Sequence, residues 1–112
     1  TDLTHARAAI ERKDLDVLGT VMERSTMRMH ACMLAADPPL IYWNERTLAV
    51  VAEVLALRKA GIGAWYTMDA GPHVKILCNP KNAQTIYDRL TKLPFAAHLT
   101  LDTMGSGIEV KP

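Results

Sequence analysis

Residues 62–78, IGAWYTMDAGPHVKILC, decide the fold, because the apolar pattern changes there to a period of two. Alternate residues of 62–68 point to one face, and 73–78 alternates in the same way. Between them, 69–72 reads Asp-Ala-Gly-Pro, a combination typical of a tight turn. The stretch therefore predicts a β-hairpin.

Three helices are predicted before this hairpin. Apolar residues recur at three- and four-residue steps in three segments: 4–13, 14–35 and 45–59. Thr4 is a candidate N-cap for the first helix, and Asp14 or Asp16 begins the second. Asn44 is a typical N-cap for the third, and Gly61 is expected to end it in the left-handed conformation. The second helix carries apolar residues on two faces, which predicts that it lies between two layers.

One more helix and two short strands are predicted after the hairpin. Asn79-Pro80 is typical of a cap and first helical residue, and Pro94 ends that helix. Short strands are expected at 98–103 and 108–110, on either side of the Gly-Ser-Gly at 105–107. The order of elements predicts an α+β fold, an antiparallel sheet covered by helices. We expect a ferredoxin-like variant with extra helices at its start.

Composition predicts one ordinary globular domain over residues 1–112. The formal net charge is +1 and the cations are scattered, which argues against a nucleic-acid partner. No apolar run is long enough for a transmembrane helix. The first residue is not Met, from which we expect the chain to begin inside a longer one. Cys32 and Cys78 are expected to be buried free thiols of a reducing cytosol.

Asp69 is the first candidate for chemistry. It stands where the first strand of the hairpin ends and the glycine-containing turn begins. A carboxylate held there at the rim of a sheet would suit a positioned acid or base. The alternative from the pattern alone is a turn-forming Asp whose side chain bonds its own backbone.

Six segments carry a resemblance to a known family. In chain order they are RMHA at 28–31, DPPLIYW at 37–43, RKAG at 58–61, TMDAGP at 67–72, VKIL at 74–77 and GSGIE at 105–109. Their order and connecting lengths resemble the diphosphomevalonate decarboxylases, members of the GHMP kinase superfamily. His73 stands where that family usually has Asn.

The resemblance implies the C-terminal domain, of the GHMP kinase type, of a longer two-domain cytoplasmic enzyme. It implies ATP-dependent conversion of mevalonate 5-diphosphate to isopentenyl diphosphate, with ADP, phosphate and carbon dioxide released, in the mevalonate pathway of isoprenoid biosynthesis. It further suggests a homodimer, and an active site in the cleft between the two domains.

By the same resemblance, Asp69 is the catalytic residue, which orients or deprotonates the tertiary 3-hydroxyl of the substrate. Arg28, Ser25, Ala70 and Gly71 are the candidate substrate-binding residues. For Ser25, where many relatives carry Asn, the alternative is a small residue that packs between helices. For Arg28, the alternative is a solvated helix face on which it pairs with a Glu.

The glycine-rich phosphate-binding loop of the superfamily is absent from this sequence, and so is a Walker-type loop. In the family that loop belongs to the N-terminal, ATP-binding domain, which these residues lack. We therefore expect ATP and Mg²⁺ to act in the full-length enzyme, no cofactor on this domain alone, and no activity from it alone. No metal site is predicted, because His30 and Cys32 lack further ligands nearby.

Two other functions remain open at this point. One is a phosphomevalonate decarboxylase or another small-molecule kinase domain of the GHMP superfamily, whose sequence pattern would be nearly the same. The other is a stand-alone α+β ligand-binding module, which the missing phosphate loop would suit. The substrate preference between mono- and diphosphate separates the first of these from the diphosphate enzyme.

Overall fold

Four helices and a two-stranded sheet make up the computed structural model, which describes residues 1–95 and 98–111. In chain order they are α1 Asp2–Glu11, α2 Leu15–Leu34, α3 Glu45–Lys59, β1 Ala64–Thr67, β2 Lys75–Cys78 and α4 Pro80–Thr91. The predicted domain 1–112 also includes 96, 97 and 112, which lie outside the described residues.

The first helix begins earlier than predicted. Thr1 is its N-cap, and the amide of Thr4 donates to the Thr1 hydroxyl over 3.4 Å, so the predicted cap at Thr4 is wrong. The helix ends at Glu11, and Lys13 then takes the left-handed conformation with φ of 56°. The Asp14 side chain accepts a bond from an α2 amide, so Asp14 is the N-cap of α2.

The second helix lies between α1 and β1, as its two apolar faces predict. Its face toward β1 is built from Gly19, Thr26 and His30, all buried. At Gly19 a Cβ atom would overlap the indole ring of Trp65, so glycine here permits the close approach of α2 to the strand.

The caps of the third helix are confirmed. Asn44 and Thr47 form a reciprocal capping box at its start. At its end Gly61 has φ of 83°, and the amide of Ile62 donates to the carbonyl of Leu57 over 3.0 Å. This pattern is a Schellman motif, which satisfies carbonyls that the helix end leaves free.

The predicted hairpin is confirmed, with shorter strands than the sequence pattern suggests. β1 and β2 pair antiparallel, with Ala64 opposite Cys78 and Thr67 opposite Lys75. A core forms where α3 and α4 pack with the sheet. Its buried members are apolar side chains of these elements and of the residue after β1: Val54, Leu57, Ala64, Tyr66, Met68, Ile86 and Leu90.

The two strands predicted near the C-terminus are not formed, since described residues 98–111 contain no strand. Met104, Ile108 and Val110 are almost fully exposed. Alternation alone does not make a strand, because a strand also needs a neighbour that pairs with its main chain. The α+β class with an antiparallel sheet and covering helices is nevertheless confirmed.

The two cysteines are free but differ in burial. Cys32 is exposed, so the prediction of two buried thiols is wrong for it, because α2 turns Gly19, Thr26 and His30 toward the sheet instead. Cys78 is half-buried, and this burial raises the pKa of its thiol. No helix in the described part of the chain is long and apolar enough to cross a membrane.

Candidate functional site

The turn between β1 and β2 presents Asp69 to solvent. The residue before it, Met68, is buried, whereas the Asp69 side chain is 78% exposed. Within the turn, the amide of Gly71 donates to the carbonyl of Asp69 over 2.9 Å. In the described part of the chain, the Asp69 carboxylate bonds only to Lys75. The main chain of Asp69 therefore closes the turn, and its side chain is left for other contacts.

Lys75 lowers the pKa of this carboxylate further below its ordinary value. The Lys75 Nζ lies 2.7 Å from Asp69 Oδ2, at the turn end of the hairpin. The hydrogen bond and the positive charge of Lys75 lower the pKa of the Asp69 carboxyl, and the small desolvation opposes them. Asp69 is thus ionised at neutral pH. An ionised carboxylate accepts hydrogen bonds well, but a lowered pKa makes it a weak proton acceptor.

Two buried side chains of α2 hold the main chain just before Asp69. The Thr26 hydroxyl donates to the Met68 carbonyl over 2.5 Å and accepts from the Met68 amide over 3.1 Å. His30 Nε2 lies 3.3 Å from the same carbonyl. Because a carbonyl can only accept, this contact requires the proton on Nε2.

A buried side chain of α3 holds the other end of the turn. The Thr47 hydroxyl donates to the Pro72 carbonyl over 2.8 Å. Its oxygen also accepts from the Asn44 amide over 3.3 Å in the capping box, so the start of α3 fixes the position of this hydroxyl. The turn is thus attached to two helices, one at each end.

Glu23 fixes the strand that leads into the turn. Its carboxylate accepts from the amide of Tyr66 over 3.0 Å and from Arg58 Nη1 over 2.5 Å. Arg58 donates further to the Ala64 carbonyl over 3.1 Å, so α2, α3 and β1 meet at one ion pair. Burial, and secondarily the charge of Glu23, raise the pKa of the Tyr66 hydroxyl.

His73 lies on the far side of the turn, beside a cavity of about 280 Å³ between α3, α4 and the hairpin. The side chain is exposed. The cavity is also lined by Arg46, whose guanidinium stands 5.8 Å from the ring centroid of Phe95.

The predicted site residues fall into two groups. Asp69, Ala70 and Gly71 share the turn. Arg28 instead points toward α1, where its Nη1 lies 3.3 Å from Asp2 Oδ2. This matches the alternative of a solvated helix face, with an Asp as partner instead of a Glu. Ser25 is exposed on α2, so the alternative of a residue packed between helices is wrong for it.

Sequence reasoning missed the residues that hold the turn. Glu23, Thr26 and His30 recur at three- and four-residue steps on one face of α2, and this polar face was the available signal. A buried polar face predicts hydrogen bonds. The acceptor of Thr26 and His30 at Met68 could not be predicted, since it lies about forty residues further along the chain.

Few groups in this domain could hold a metal ion or a nucleotide. In the described residues there is no cluster of three or more His, Cys, Asp or Glu side chains that could bind a metal ion. The one carboxylate at the turn, Asp69, is already paired with a lysine. What the arrangement offers is a single ionised acceptor on a firmly held turn.

Comparison with known proteins gives consistent relatives. The family described as Mevalonate 5-diphosphate decarboxylase C-terminal domain matches residues 1–111. Mevalonate diphosphate decarboxylase from Staphylococcus aureus is 46% identical, with a TM-score of 0.80, over 82% of this chain and 28% of that one. The corresponding structure from Enterococcus faecalis is 39% identical, with a TM-score of 0.79, over 82% and 29%.

A curated relative, the diphosphomevalonate decarboxylase of Ganoderma lucidum, is 30% identical over 91 residues, which are 76% of this chain and 23% of the relative. The chain therefore spans less than a third of the length of each of these relatives. With the family match over 1–111 and the same order of helices and hairpin, the chain belongs to the mevalonate 5-diphosphate decarboxylase C-terminal domain family.

Proposed function

We propose that the complete protein carrying this chain is an ATP-dependent decarboxylase that converts mevalonate 5-diphosphate to isopentenyl diphosphate, ADP, phosphate and carbon dioxide. The observation that carries the proposal is the exposed, ionised Asp69 on a turn held at both ends, within a chain of this family. The activity belongs to the complete protein, since this chain matches less than a third of its relatives.

Asp69 orients the 3-hydroxyl of the substrate in this proposal. A tertiary alcohol is a hindered nucleophile, so holding its O–H in the reactive direction increases the reaction rate more than it would for a primary alcohol. The carboxylate accepts that hydrogen bond, and the low pKa that Lys75 imposes favours orientation over full proton removal. The main chain of Ala70 and Gly71 borders the same place, and we propose that it contacts the substrate.

ATP and magnesium do not fit this chain by itself. The sequence lacks a glycine-rich phosphate loop, and the described residues lack a carboxylate cluster for a divalent cation. We propose that an N-terminal domain of the complete protein holds both, with Asp69 facing the cleft between the domains. A solved relative called MDDEF, 39% identical to this chain, is bound to MVAPP, AMPPCP and magnesium, which supports a nucleotide and a cation in the full enzyme.

Domain organisation, assembly and location are proposed on the family resemblance alone. We propose that residues 1–112 form one C-terminal domain of a cytoplasmic, homodimeric enzyme. Ser25 and Arg28 are kept as proposed substrate contacts of the complete protein; within this chain the Arg28 guanidinium lies 3.3 Å from Asp2 Oδ2.

The test is ATP-dependent release of carbon dioxide from mevalonate 5-diphosphate by the complete protein. Asp69→Asn keeps the shape of the side chain but removes its charge, and we expect turnover to fall by roughly 10² or more. The matched control is Asp88→Asn on the exposed face of α4, which should leave turnover unchanged. An Asp69→Asn variant with full activity contradicts the proposed role.

The substrate itself separates the alternatives. Turnover of mevalonate 5-phosphate in place of the diphosphate identifies a phosphomevalonate decarboxylase. Phosphorylation without release of carbon dioxide identifies a related kinase. Binding without any ATP-dependent turnover identifies a ligand-binding module.

A further inference from the structure

The buried polar side chains of the described core all bond to the main chain of one turn, the turn that carries Asp69. They are Thr26, His30 and Thr47, exposed by 6%, 2% and 2%. Each bonds to the main chain at an end of the turn that carries Asp69: two to Met68, and one to Pro72. Burying a hydroxyl or an imidazole costs free energy unless it is hydrogen-bonded, so these groups are committed to those contacts.

The turn needs this support, because its own bonding is slight. In the described contacts it has one internal main-chain hydrogen bond, from Gly71 to Asp69. Asp69 and Ala70 are exposed and add no packing. The place from which the Asp69 carboxylate projects therefore depends on how the main chain is held at Met68 and at Pro72, while Lys75 bonds the carboxylate itself.

Thr26 is the strongest of the three anchors. Its single hydroxyl both donates to the carbonyl and accepts from the amide of Met68, which fixes the peptide groups on both sides of that residue. Asp69 is attached to the carbonyl that Thr26 and His30 share. A small rotation at this peptide would move the carboxylate by a distance comparable to the tolerance of a reacting pair.

We propose that Thr26, His30 and Thr47 are positioning residues that set the Asp69 carboxylate for the reaction. This inference rests on the proposed function of Asp69. None of the three touches the substrate in this scheme. They act through the main chain of the turn, and Thr26 and Thr47 do so from different helices.

The experiment compares Thr26→Val with Thr26→Ser in the complete protein. Valine keeps the shape of threonine without the hydroxyl, and serine keeps the hydroxyl without the methyl group. We expect Thr26→Val to lower kcat by roughly 10-fold or more, with KM changed by less than about 2-fold, and Thr26→Ser to stay near wild type. Thr47→Val and Thr47→Ser repeat the comparison at Pro72.

A second arm asks whether Thr26 acts through Asp69. In an Asp69→Asn background, Thr26→Val should cause no further loss of kcat, because the carboxylate that it positions is already gone. Hydrogen exchange of the main-chain amides in 68–75 gives a readout without turnover. We expect exchange to be roughly 10-fold faster in Thr26→Val than in Thr26→Ser.

Separate outcomes distinguish the inference from the function. A wild-type protein that decarboxylates neither mevalonate 5-diphosphate nor mevalonate 5-phosphate overturns the proposed function. The amide exchange rates in 68–75 then still show whether Thr26 holds the turn. An active wild type, an inactive Asp69→Asn and a fully active Thr26→Val leave the function standing and overturn the inference. If Thr26→Val does not fold, Thr47→Val decides. If neither valine variant folds while both serine variants do, the hydroxyls are structural only and the inference is overturned.

Discussion

At the residue scale, Asp69 and Lys75 meet because of the strand register. Thr67 pairs with Lys75, so the lysine stands opposite the last residue of β1, two positions before Asp69. The ion pair is exposed on both sides, 69% for Lys75 and 78% for Asp69. Exposed pairs add little to stability, so its main effect is to lower the pKa of Asp69 and to make the carboxylate a weaker proton acceptor.

Lys75→Gln should raise the pKa of the Asp69 carboxyl toward its ordinary value of 3.8. The reason is that glutamine removes the cation that stabilises the ionised form. Carbon NMR titration of the Asp69 carboxyl group measures the change. Lys81→Gln, an exposed lysine on α4, is the control and should leave that pKa unchanged. Equal titration of Asp69 in both variants would show that Lys75 does not lower its pKa.

The sequence identified Asp69 because a family motif surrounds it and a strand ends there. It did not identify the bond to Lys75, since that contact needs the register of the hairpin. The partner of Thr26 was not predictable either: its spacing from Glu23 and His30 indicates a polar face, but only the packing of α2 gives it Met68 as a partner.

At the element scale, the close approach of α2 to β1 depends on Gly19. Gly19→Ala should destabilise the domain by about 1–2 kcal/mol, because overpacking costs about 1–3 kcal/mol and alanine returns up to about 1 kcal/mol of helix propensity. The clash is with the buried ring of Trp65, which has little freedom to move. Urea unfolding measures the difference.

Thr20→Ala is the matched control for this substitution, since Thr20 is the exposed neighbour on the same helix. It should leave the free energy of unfolding within about 0.5 kcal/mol of wild type, as surface substitutions usually do. If Gly19→Ala proves as stable as Thr20→Ala, the indole and the helix are not in tight contact.

Helix limits that are set by a capping residue were predictable from the sequence. The strands near the C-terminus were not, because a strand forms only where another strand pairs with it. The Asn44 side chain accepts hydrogen bonds from the first amides of α3, and Gly61, which has no side chain, takes the left-handed conformation at its end. Both limits of α3 could therefore be derived from the sequence. Residues 108–110 alternate like a strand, yet no described strand pairs with them.

At the scale of the whole molecule, one carboxylate ties α1 to the rest. Asp2 Oδ1 lies 2.7 Å from Arg24 Nη2, and Asp2 Oδ2 lies 3.3 Å from Arg28 Nη1. The hydrogen bond from Arg24 is the main cause that lowers the pKa of Asp2 below 3.8, and desolvation opposes it.

This pair should contribute to stability at neutral pH and lose its contribution in acid. Since the pKa of Asp2 is lower in the folded state, the contribution is present above about pH 4 and disappears as pH falls through the folded-state pKa. Asp2→Asn should therefore lower Tm at pH 7 and leave it nearly unchanged near pH 2. Thermal unfolding across this range measures the difference.

Asp16→Asn is the control, because Asp16 is exposed on α2 and has no ion pair in the described structure. It should not reproduce the pH dependence. A Tm difference between wild type and Asp2→Asn that stays constant from pH 7 to about pH 2 would contradict the assigned role of Asp2.

The assembly of layers was only partly predictable from the sequence. The two apolar faces of α2 indicated a helix between layers, and the structure has α1 on one side of it and β1 on the other. The sequence did not indicate which face of α2 packs against the hairpin, since the stripe with Met22 and Met29 looks more apolar than the face with Thr26 and His30. Polar contacts to the hairpin decided it.

The attachment of the turn through main-chain carbonyls has a consequence for its evolution. Thr26, His30 and Thr47 bind peptide groups, which are the same whatever side chains the turn carries. A change of the exposed side chain at His73 should therefore leave the path of the chain unchanged. A library of variants at 73 would therefore change the side chain beside the proposed site on an unchanged frame, while Asp69, Ala70 and Gly71 are kept.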